Sequence, residues 1–511
     1  MSFFSWEFAA FTAGALLLYY LLPRKLQWPV LLALSLGFYA CAGPTGLIWL
    51  LFTAGTTWAA GLLLERLNAR ARADKSAAVK GKKRLVLSLC LGLDFGLLFF
   101  MKYWNFTAEA LSKAGVSLPM SSLVMPLGLS FYMFQSLGYA VDCYRGKYPA
   151  QRNPLKYLLF VSFFPQMVQG PISRYNELEP QLTAPHPFNA DQLKYGIQLA
   201  LWGLLKKLLI ADRAAEAVKT VFDRPEAYGG ALTAFAVLLY CVQLYCDFSG
   251  GIDLTRGVAQ MFDIRLAENF RRPIFARSLA EYWRRWHITL GTWMRDYVFY
   301  PLAFSKPLSA LSRWSRKRFG GKTGKVIPTA CATFVVYLFI GIWHGANFRY
   351  IFFGLYNGAV MTASVLLTAR FSQWRKRLKL SEAQPGFRAF QLGRTMLLVF
   401  IGRYITRAPR LMTAFAMLWK TLRHPCLYQL RDGSLGGLGL SPADYAVTAL
   451  GTALLLILER RQERGTELRK ALERKHPFVQ WLMMLLPLLA LLLHLVLRGE
   501  AVDVNLIYQH F

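Results

Sequence analysis

The sequence predicts an all-α, polytopic membrane protein, and two features of its composition carry that prediction. Of the 511 residues, 55% are hydrophobic and only 17% are charged, whereas soluble domains carry about 25% charged residues. The formal net charge is +32, yet the mean hydropathy is positive at +0.31. The basic residues therefore lie between apolar runs, as in loops on one side of a bilayer. This pattern excludes a basic disordered tail and a nucleic-acid-binding surface.

The first four apolar runs set the predicted orientation. They cover residues 8–22, 28–42, 47–64 and 85–101. Arg24 and Lys25 follow the first run, and residues 65–84 after the third hold eight Lys or Arg against two acids. Because two runs separate these basic loops, both fall on the cytoplasmic side and the N-terminus is predicted to lie outside. The first run has no basic segment before it and no cleavage site after it, so we expect a retained span.

Eight more apolar segments follow, and several are shorter than the ~20 residues that a span needs. The prediction is therefore roughly 11 transmembrane helices, with additional re-entrant and interfacial helices. The eight segments are residues 123–141, 158–168, 231–246, 326–343, 351–369, 390–405, 443–457 and 478–497. Pro165 and the pair Gly170-Pro171 interrupt the chain near the second of these segments. Interrupted backbone at membrane depth is stable only where protein buries it or where it lines a wet cavity. The sequence thus predicts a cavity within the membrane.

One membrane domain over residues 1–511 is the predicted organisation, because no repeat or long linker divides the chain. Residues 459–475 alternate Glu with Arg and Lys, which predicts a solvated cytoplasmic helix. The next crossing, residues 478–497, places the tail 498–511 outside, so both termini are predicted to be extracytoplasmic. The seven cysteines form no CxxC pair and no histidine stands at zinc-ligand spacing, so we expect reduced thiols and no metal.

The segment 270–325 is the most basic part of the chain, with thirteen Lys or Arg and two acids. We place it on the cytoplasmic face. One interpretation is a belt that contacts lipid headgroups and carries positive-inside charge. The other is a docking surface for a polyanionic substrate.

Two of the seven histidines are candidates for chemistry. His344 ends an apolar run between Gly341 and Gly345, and poor solvation would keep its imidazole neutral and able to accept a proton. His287 lies within residues 281–297, where a helix would place four aromatic residues and Leu290 on one apolar face. The spacing leaves open whether His287 reaches a substrate or only the interface. A helix-packing or interfacial role suits His494. Solvated positions suit the other four, which are His186, His424, His476 and His510.

Residues 282–287 (YWRRWH) with 292–297 (TWMRDY), and residues 341–346 (GIWHGA), form two recognisable sequence blocks. They resemble the blocks FWRRWHISL…TWLRDY and GLWHGA of the bacterial membrane-bound O-acyltransferases. Further blocks follow the family order at residues 126–132, 164–166 with 170–172, and 243–250. The resemblance covers about residues 125–360. The blocks are similar to those of the alginate and peptidoglycan O-acetyltransferase branch of the family.

The resemblance implies a ring of helices around a central tunnel that joins the two faces of the membrane. It also implies that His344 is the catalytic residue and that His287 has a supporting or substrate-binding role. A thioester donor would enter from the cytoplasm, and an acceptor hydroxyl would come from outside. Removal of the hydroxyl proton by a neutral imidazole favours attack on the thioester carbonyl, and hydrogen-bond donors stabilise the oxyanion. Trp343 and Asn347 are the candidate donors.

Acetyl-coenzyme A is the acyl donor that the resemblance favours, and no bound cofactor is expected. Its phosphates suit Arg284 and Arg285, because guanidinium groups bind phosphate in a bidentate manner, and Trp286 stands next to them as a further donor-binding candidate. An acyl carrier protein with a thioester is acidic too, so charge alone does not separate the two donors.

The tail sequence 505–511 (NLIYQHF) is similar to an F-I-Y-x-x-F ending in this family or its small partner subunits. By that resemblance Tyr508 would receive the acyl group and pass it to an extracytoplasmic O-acetyltransferase partner; the alternative is an ordinary interfacial tyrosine. The family's glycine pair after YxPLGG is absent, since Ala303 follows Leu302 here. This departure leaves the acceptor polymer open.

The predicted function is transfer of an acetyl group to an exported cell-envelope polysaccharide. One alternative is transfer of D-alanyl or another acyl group to teichoic acid. The other is a permease, since cavities and buried histidines also mark transporters. A transporter is expected to carry inverted repeats and charged residues in mid-membrane, and the sequence indicates neither.

Overall fold

Helices account for all regular structure in the described part of the chain, apart from one isolated antiparallel bridge between Phe270 and Trp286. The computed structural model describes residues 3–73 and 76–498. Within these ranges six helices are long and apolar enough to cross a membrane, or seven if a pair bent by 59° counts as one span. The all-α, polytopic prediction is confirmed. The count of roughly 11 spans stays a prediction.

The described residues form two compact units, divided within one long helix after Gly250. The first unit contains residues 3–73, 76–204 and 251–268. Its helices are α1 (Trp6–Leu21), α2 (Gln27–Ala42), α3 (Pro44–Ala73), α4 (Ala77–Ser112), α5 (Leu129–Arg145), α6 (Pro154–Ser162), α7 (Tyr175–Thr183) and α8 (Ala190–Leu204). The single-domain organisation stays a prediction.

Aromatic side chains form the core of the first unit around the non-helical segment that follows α6. Helix α6 ends at Ser162, and a single 3₁₀ turn, Phe164–Gln166, follows it. The Phe164 ring packs edge-on against Phe11 at 5.2 Å and lies 6.0 Å from Phe38. Residues 163–170 are buried, so protein encloses this interrupted backbone, as membrane depth requires.

Sequence reasoning did not single out Asp94, an ionisable residue in the apolar run 85–101. This carboxyl lies within the candidate span α4 and is fully buried. The Thr56 hydroxyl on α3 lies 3.1 and 3.2 Å from its two oxygens, and the Cys90 thiol lies 3.7 Å from Oδ2. Hydrogen bonds between helices of this kind make a polar group tolerable in an apolar surrounding.

The second unit contains residues 205–250 and 269–498 of the described chain. It begins with a π-helix, Leu205–Ala211, and another π-helical turn, Arg295–Phe299, follows α12. Its α-helices are α9 (Asp212–Asp223), α10 (Gly230–Met261, of which residues 230–250 belong here), α11 (Leu279–Arg285), α12 (Ile288–Met294), α13 (Tyr300–Ala303), α14 (Lys306–Gly324), α15 (Val326–His344), α16 (Phe348–Leu366), α17 (Thr368–Arg377), α18 (Pro385–Arg407), α19 (Leu411–Arg423), α20 (Pro442–Glu463), α21 (Leu468–Glu473) and α22 (Pro477–Arg498).

A continuous helix over residues 281–297 was the wrong prediction. Helix α11 ends at Arg285 and α12 begins at Ile288, with His287 between them at φ 48° and ψ 52°. This left-handed conformation is rare for a residue with a side chain. Backbone bonds support the break, because the Arg271 amide donates to the Arg285 carbonyl and the Ile288 amide donates to the Asn269 carbonyl. Tertiary hydrogen bonds thus override the local helical pattern.

Helices α15 and α16 pack closely because glycines face each other where they cross. A Cβ added at Gly354 would lie 2.7 Å from the Tyr337 carbonyl oxygen and 3.0 Å from the Gly341 Cα. A Cβ at Gly341 would lie 2.5 Å from the Tyr350 carbonyl oxygen. These are backbone atoms, so a side chain at either glycine would force the helices apart.

We predict that Gly354→Ala lowers the melting temperature of the purified protein in detergent. The added methyl meets backbone, and overpacking of this kind costs about 1–3 kcal/mol. The matched control is Gly393→Ala, because Gly393 lies inside α18 with open space around its Cα. Alanine is favoured over glycine in a helix by about 0.5–1 kcal/mol, so the control should melt at the same or a higher temperature. Equal stability of the two variants would contradict close packing at Gly354.

Candidate active site

His344 is the last residue of α15 and is buried, with 8% of its surface exposed. Its ring centroid lies 5.0 Å from that of Trp343, 6.2 Å from Phe353 and 6.4 Å from Tyr350. A Cβ on Gly345 would lie 2.8 Å from the Tyr350 ring. Glycine after the histidine therefore lets this tyrosine approach the end of α15.

His287 is buried as well, at 3% exposure, in the break between α11 and α12. The ring of Phe248, from the sequence block 243–250, meets the imidazole edge to face at 4.9 Å and 86°. On another side the Trp343 ring lies 6.0 Å from the imidazole. The blocks 243–250, 282–287 and 341–346, which are far apart in sequence, thus meet at this histidine.

The two imidazoles share Trp343 as a neighbour, which is the central feature of the candidate site. Burial, and secondarily the charge that His344 can carry, hold the pKa of His287 well below its ordinary value of 6.5. His287 is therefore neutral at cytoplasmic pH and retains one ring nitrogen that can accept a proton. Two histidines among aromatic side chains, at least one of them neutral, can perform general base chemistry and proton transfer.

The predicted donor-binding arginines lie in different surroundings. Arg285 donates to both carboxylate oxygens of Glu463, at 2.8 and 2.9 Å, and to Glu281 at 2.6 Å. Arg272 also donates to Glu463, at 2.8 Å. An anionic donor would compete with two carboxylates for Arg285, whereas the Arg284 side chain is exposed. Binding of the donor by either arginine stays a prediction.

The other three donor-binding candidates also have defined positions. Trp286 is buried and its ring stacks on that of Tyr282 at 5.7 Å and 14°. Trp343 is buried, and its ring centroid lies 5.0 Å from that of His344 and 6.0 Å from that of His287. Asn347 caps the N-terminus of α16, where its side-chain oxygen accepts a hydrogen bond from the Arg349 amide at 3.0 Å. This oxygen is therefore engaged in capping the helix. Stabilisation of an oxyanion by Asn347 stays a prediction.

Tyr508 and the tail after Arg498 lie outside the described residues, so the relay stays a prediction as well. His494 on α22 is buried, and α22 packs against the π-helix Leu205–Ala211. Its position agrees with the packing role that the sequence favours.

Sequence reasoning missed Arg403, a buried cation beside the site. Its Nη2 donates to the Tyr282 hydroxyl at 2.8 Å, and its guanidinium lies 5.1 Å from the centre of the Trp286 ring. A guanidinium over an indole face is a favourable cation–π arrangement. Its position inside the apolar run 390–405 could have identified it, because ionisable residues in such runs are functional candidates.

A second missed feature is a buried ion-pair group in the same unit. Lys207, on the π-helix Leu205–Ala211, lies 2.7 Å from Asp247 and 2.6 Å from Asp212. Lys206 donates to the Ser249 hydroxyl at 2.9 Å. Asp247 and Ser249 belong to the block 243–250, so this block contributes ionic contacts as well as Phe248.

We predict that acidification destabilises the protein partly through His287. Because its folded pKa lies below 6.5, the unfolded chain binds a proton there first, and the free energy of unfolding falls as pH drops below 6.5. The slope from one such group is at most about 1.4 kcal/mol per pH unit. Melting temperatures between about pH 7.5 and 5.5 should therefore fall less for His287→Gln than for the wild type.

The matched control for this measurement is His424→Gln, which removes an exposed imidazole and should leave the pH dependence unchanged. An identical loss of stability in wild type and His287→Gln would contradict the neutral, buried state of His287.

Comparison with known proteins places this geometry in a family. The family model described as MBOAT, membrane-bound O-acyltransferase family, matches residues 147–314. The probable alginate O-acetylase AlgI of Pseudomonas aeruginosa is 33% identical over 411 residues, which cover 78% of this chain and 70% of the relative. Its counterpart from Pseudomonas putida is 32% identical over 407 residues, covering 78% and 76%.

A peptidoglycan O-acetyltransferase of Helicobacter pylori is 31% identical over 307 residues, covering 55% of each chain. The alginate relatives exceed 30% identity over more than two thirds of both chains, and the resemblance of the sequence blocks is thereby confirmed. The protein is therefore an enzyme rather than a permease. The chain belongs to the membrane-bound O-acyltransferase family and is a multi-pass membrane O-acyltransferase.

Proposed function

We propose that this O-acyltransferase moves an acetyl group from cytoplasmic acetyl-coenzyme A to hydroxyls of an exported cell-envelope polysaccharide. The observation that carries the proposal is that the buried residues His344 and His287 both lie next to the ring of Trp343, among aromatic side chains. The names of the relatives, alginate O-acetylase and peptidoglycan O-acetyltransferase, support acetyl transfer to a polysaccharide.

In the proposed reaction His344 takes the proton of the acceptor hydroxyl while the hydroxyl oxygen attacks the thioester carbonyl. A new carbon–oxygen bond forms, and the carbonyl becomes a tetrahedral oxyanion. Collapse of this intermediate breaks the carbon–sulfur bond, and the coenzyme A thiolate leaves and takes up the proton that the imidazole holds. Atoms and charge balance without a metal ion or redox partner.

In the proposal His287, the other histidine next to Trp343, supports this step. Neutral because of burial, it can hydrogen-bond to the reacting oxygen or pass a proton without adding a charge next to His344. A charged His287 would disfavour the imidazolium that His344 becomes during the reaction.

The proposed architecture connects the two reactants across the bilayer. Roughly 11 spans in one domain would surround a tunnel, with the donor entering from the basic cytoplasmic face and the acceptor from outside. Arg284 is exposed and supports phosphate binding at the entrance. Both termini would lie outside, where an extracytoplasmic O-acetyltransferase could complete the transfer.

We predict that His344→Ala and His287→Ala abolish acetylation of the exported polysaccharide in cells that lack another copy of the enzyme. Loss of a general base costs about 10²–10⁴-fold in rate, so acetyl groups on the isolated polymer should fall below detection. The matched control His424→Ala should acetylate normally at the same membrane content of protein. Normal acetylation by the His344→Ala variant would refute the catalytic assignment.

We also predict that Tyr508 is the first acceptor: its phenolic oxygen attacks the thioester and becomes an acetyl ester, and the extracytoplasmic partner then moves the acetyl group to a polysaccharide hydroxyl, which restores the phenol. Purified protein in liposomes with radiolabelled acetyl-coenzyme A should retain label at Tyr508, and Tyr508→Phe should retain none because it lacks the phenolic oxygen. Tyr428→Phe, which removes the hydroxyl of an exposed tyrosine, is the control and should be labelled. Full polymer acetylation by Tyr508→Phe in cells would dismiss the relay.

A further inference from the structure

The conformation of His287 depends on one residue that lies eighteen positions earlier, Asn269. Its backbone carbonyl accepts the Ile288 amide at 3.0 Å. Its side-chain Oδ1 accepts the Thr289 amide at 3.0 Å and the Thr289 hydroxyl at 2.9 Å. Asn269 therefore bonds to both residues that follow the histidine and stabilises its left-handed backbone.

The same Oδ1 lies 3.3 Å from Nδ1 of His287. The Thr289 amide can only donate, so the group that faces it must be the amide oxygen of Asn269, and this fixes which end of the side chain faces the imidazole. Because an amide oxygen can only accept, Nδ1 must carry the hydrogen. In a neutral imidazole the lone pair then resides on Nε2.

Asn269 is fully buried, and its Nδ2 has no hydrogen-bond partner within residues 3–73 and 76–498. An amide nitrogen without a partner in the interior is unfavourable. A hydrophobic residue would avoid this penalty but would supply no acceptor to Nδ1 or to Thr289. The acceptor function accounts for an asparagine at this position.

We propose that Asn269 is a positioning residue of the transferase: it holds His287 in the Nδ1–H tautomer, so that Nε2 is the nitrogen available to the reacting groups. Asn269 does not contact the substrate in this account and acts only through His287. The inference rests on the proposed participation of His287 in acyl transfer.

The test compares three variants of the full chain in liposomes, with acetyl-coenzyme A as donor and release of coenzyme A as the readout. Asn269→Ala removes the acceptor and should lower kcat about 10- to 100-fold, as loss of a group that orients a functional histidine does, with KM for the donor unchanged. Thr289→Val is the matched control. It removes the hydroxyl bond to Asn269 but leaves the contact with His287, and kcat should stay within about twofold of wild type.

Asn269→Asp keeps an acceptor for Thr289 and for Nδ1 and adds a negative charge. A carboxylate at this distance favours the imidazolium, so the acidic limb of the pH–rate profile should move upward by about 1 to 3 pH units, while activity is retained at alkaline pH. A residue that only supports the backbone would not move this limb. The Asp variant thus tests the inference even if Asn269→Ala fails to fold.

Equal losses of kcat in Asn269→Ala and Thr289→Val, with an unshifted profile in Asn269→Asp, would overturn the inference and leave Asn269 a structural residue. Failure of the proposed function has a different signature. If His287→Gln releases coenzyme A at the wild-type rate, then His287 does not participate at all.

Discussion

A short antiparallel pairing of residues 269–271 with residues 285–288 determines where the candidate active site forms. Two backbone hydrogen bonds and the Phe270–Trp286 bridge hold these segments together. The pairing ends α11 at Arg285 and restarts the helix at Ile288, so His287 takes up a left-handed conformation inside the protein. Without this break His287 would lie within one continuous helix, and the helical repeat would set the direction of its side chain.

The contacts around this pairing are mostly aromatic and ionic. The rings of Phe270 and Trp286 meet edge to face at 4.9 Å, and Arg403 covers the Trp286 face. Arg272 and Arg285, on the two paired segments, both donate to Glu463 at the end of α20. One carboxylate therefore joins the paired segments to a distant helix, and a partly buried bidentate pair of this kind fixes geometry as well as charge.

Close helix packing provides the second half of the site. The glycine crossing of α15 and α16 brings Tyr350 and Phe353 next to His344 at the end of α15. The ring of Trp343 neighbours both histidines. An aromatic surrounding excludes water, which keeps imidazoles neutral and strengthens hydrogen bonds to an oxyanion.

The sequence predicted the features that follow from local composition. The apolar run 326–343 corresponds to α15, which ends at His344, because apolar content and a following glycine are local signals. The break at His287 was not predictable in this way, since Asn269 imposes it from outside the helix. The ion pair of Arg285 with Glu463 was missed for the same reason, since Glu463 stands 178 positions away and no local sequence pattern indicates that distant partner.

The most direct test of the account is the single-turnover release of coenzyme A from acetyl-coenzyme A by the purified protein in liposomes, measured together with donor binding. The account predicts release by the wild type, and no release by His344→Ala although it still binds the donor. Release at the wild-type rate from His344→Ala would contradict the central claim that this buried imidazole activates the acyl acceptor.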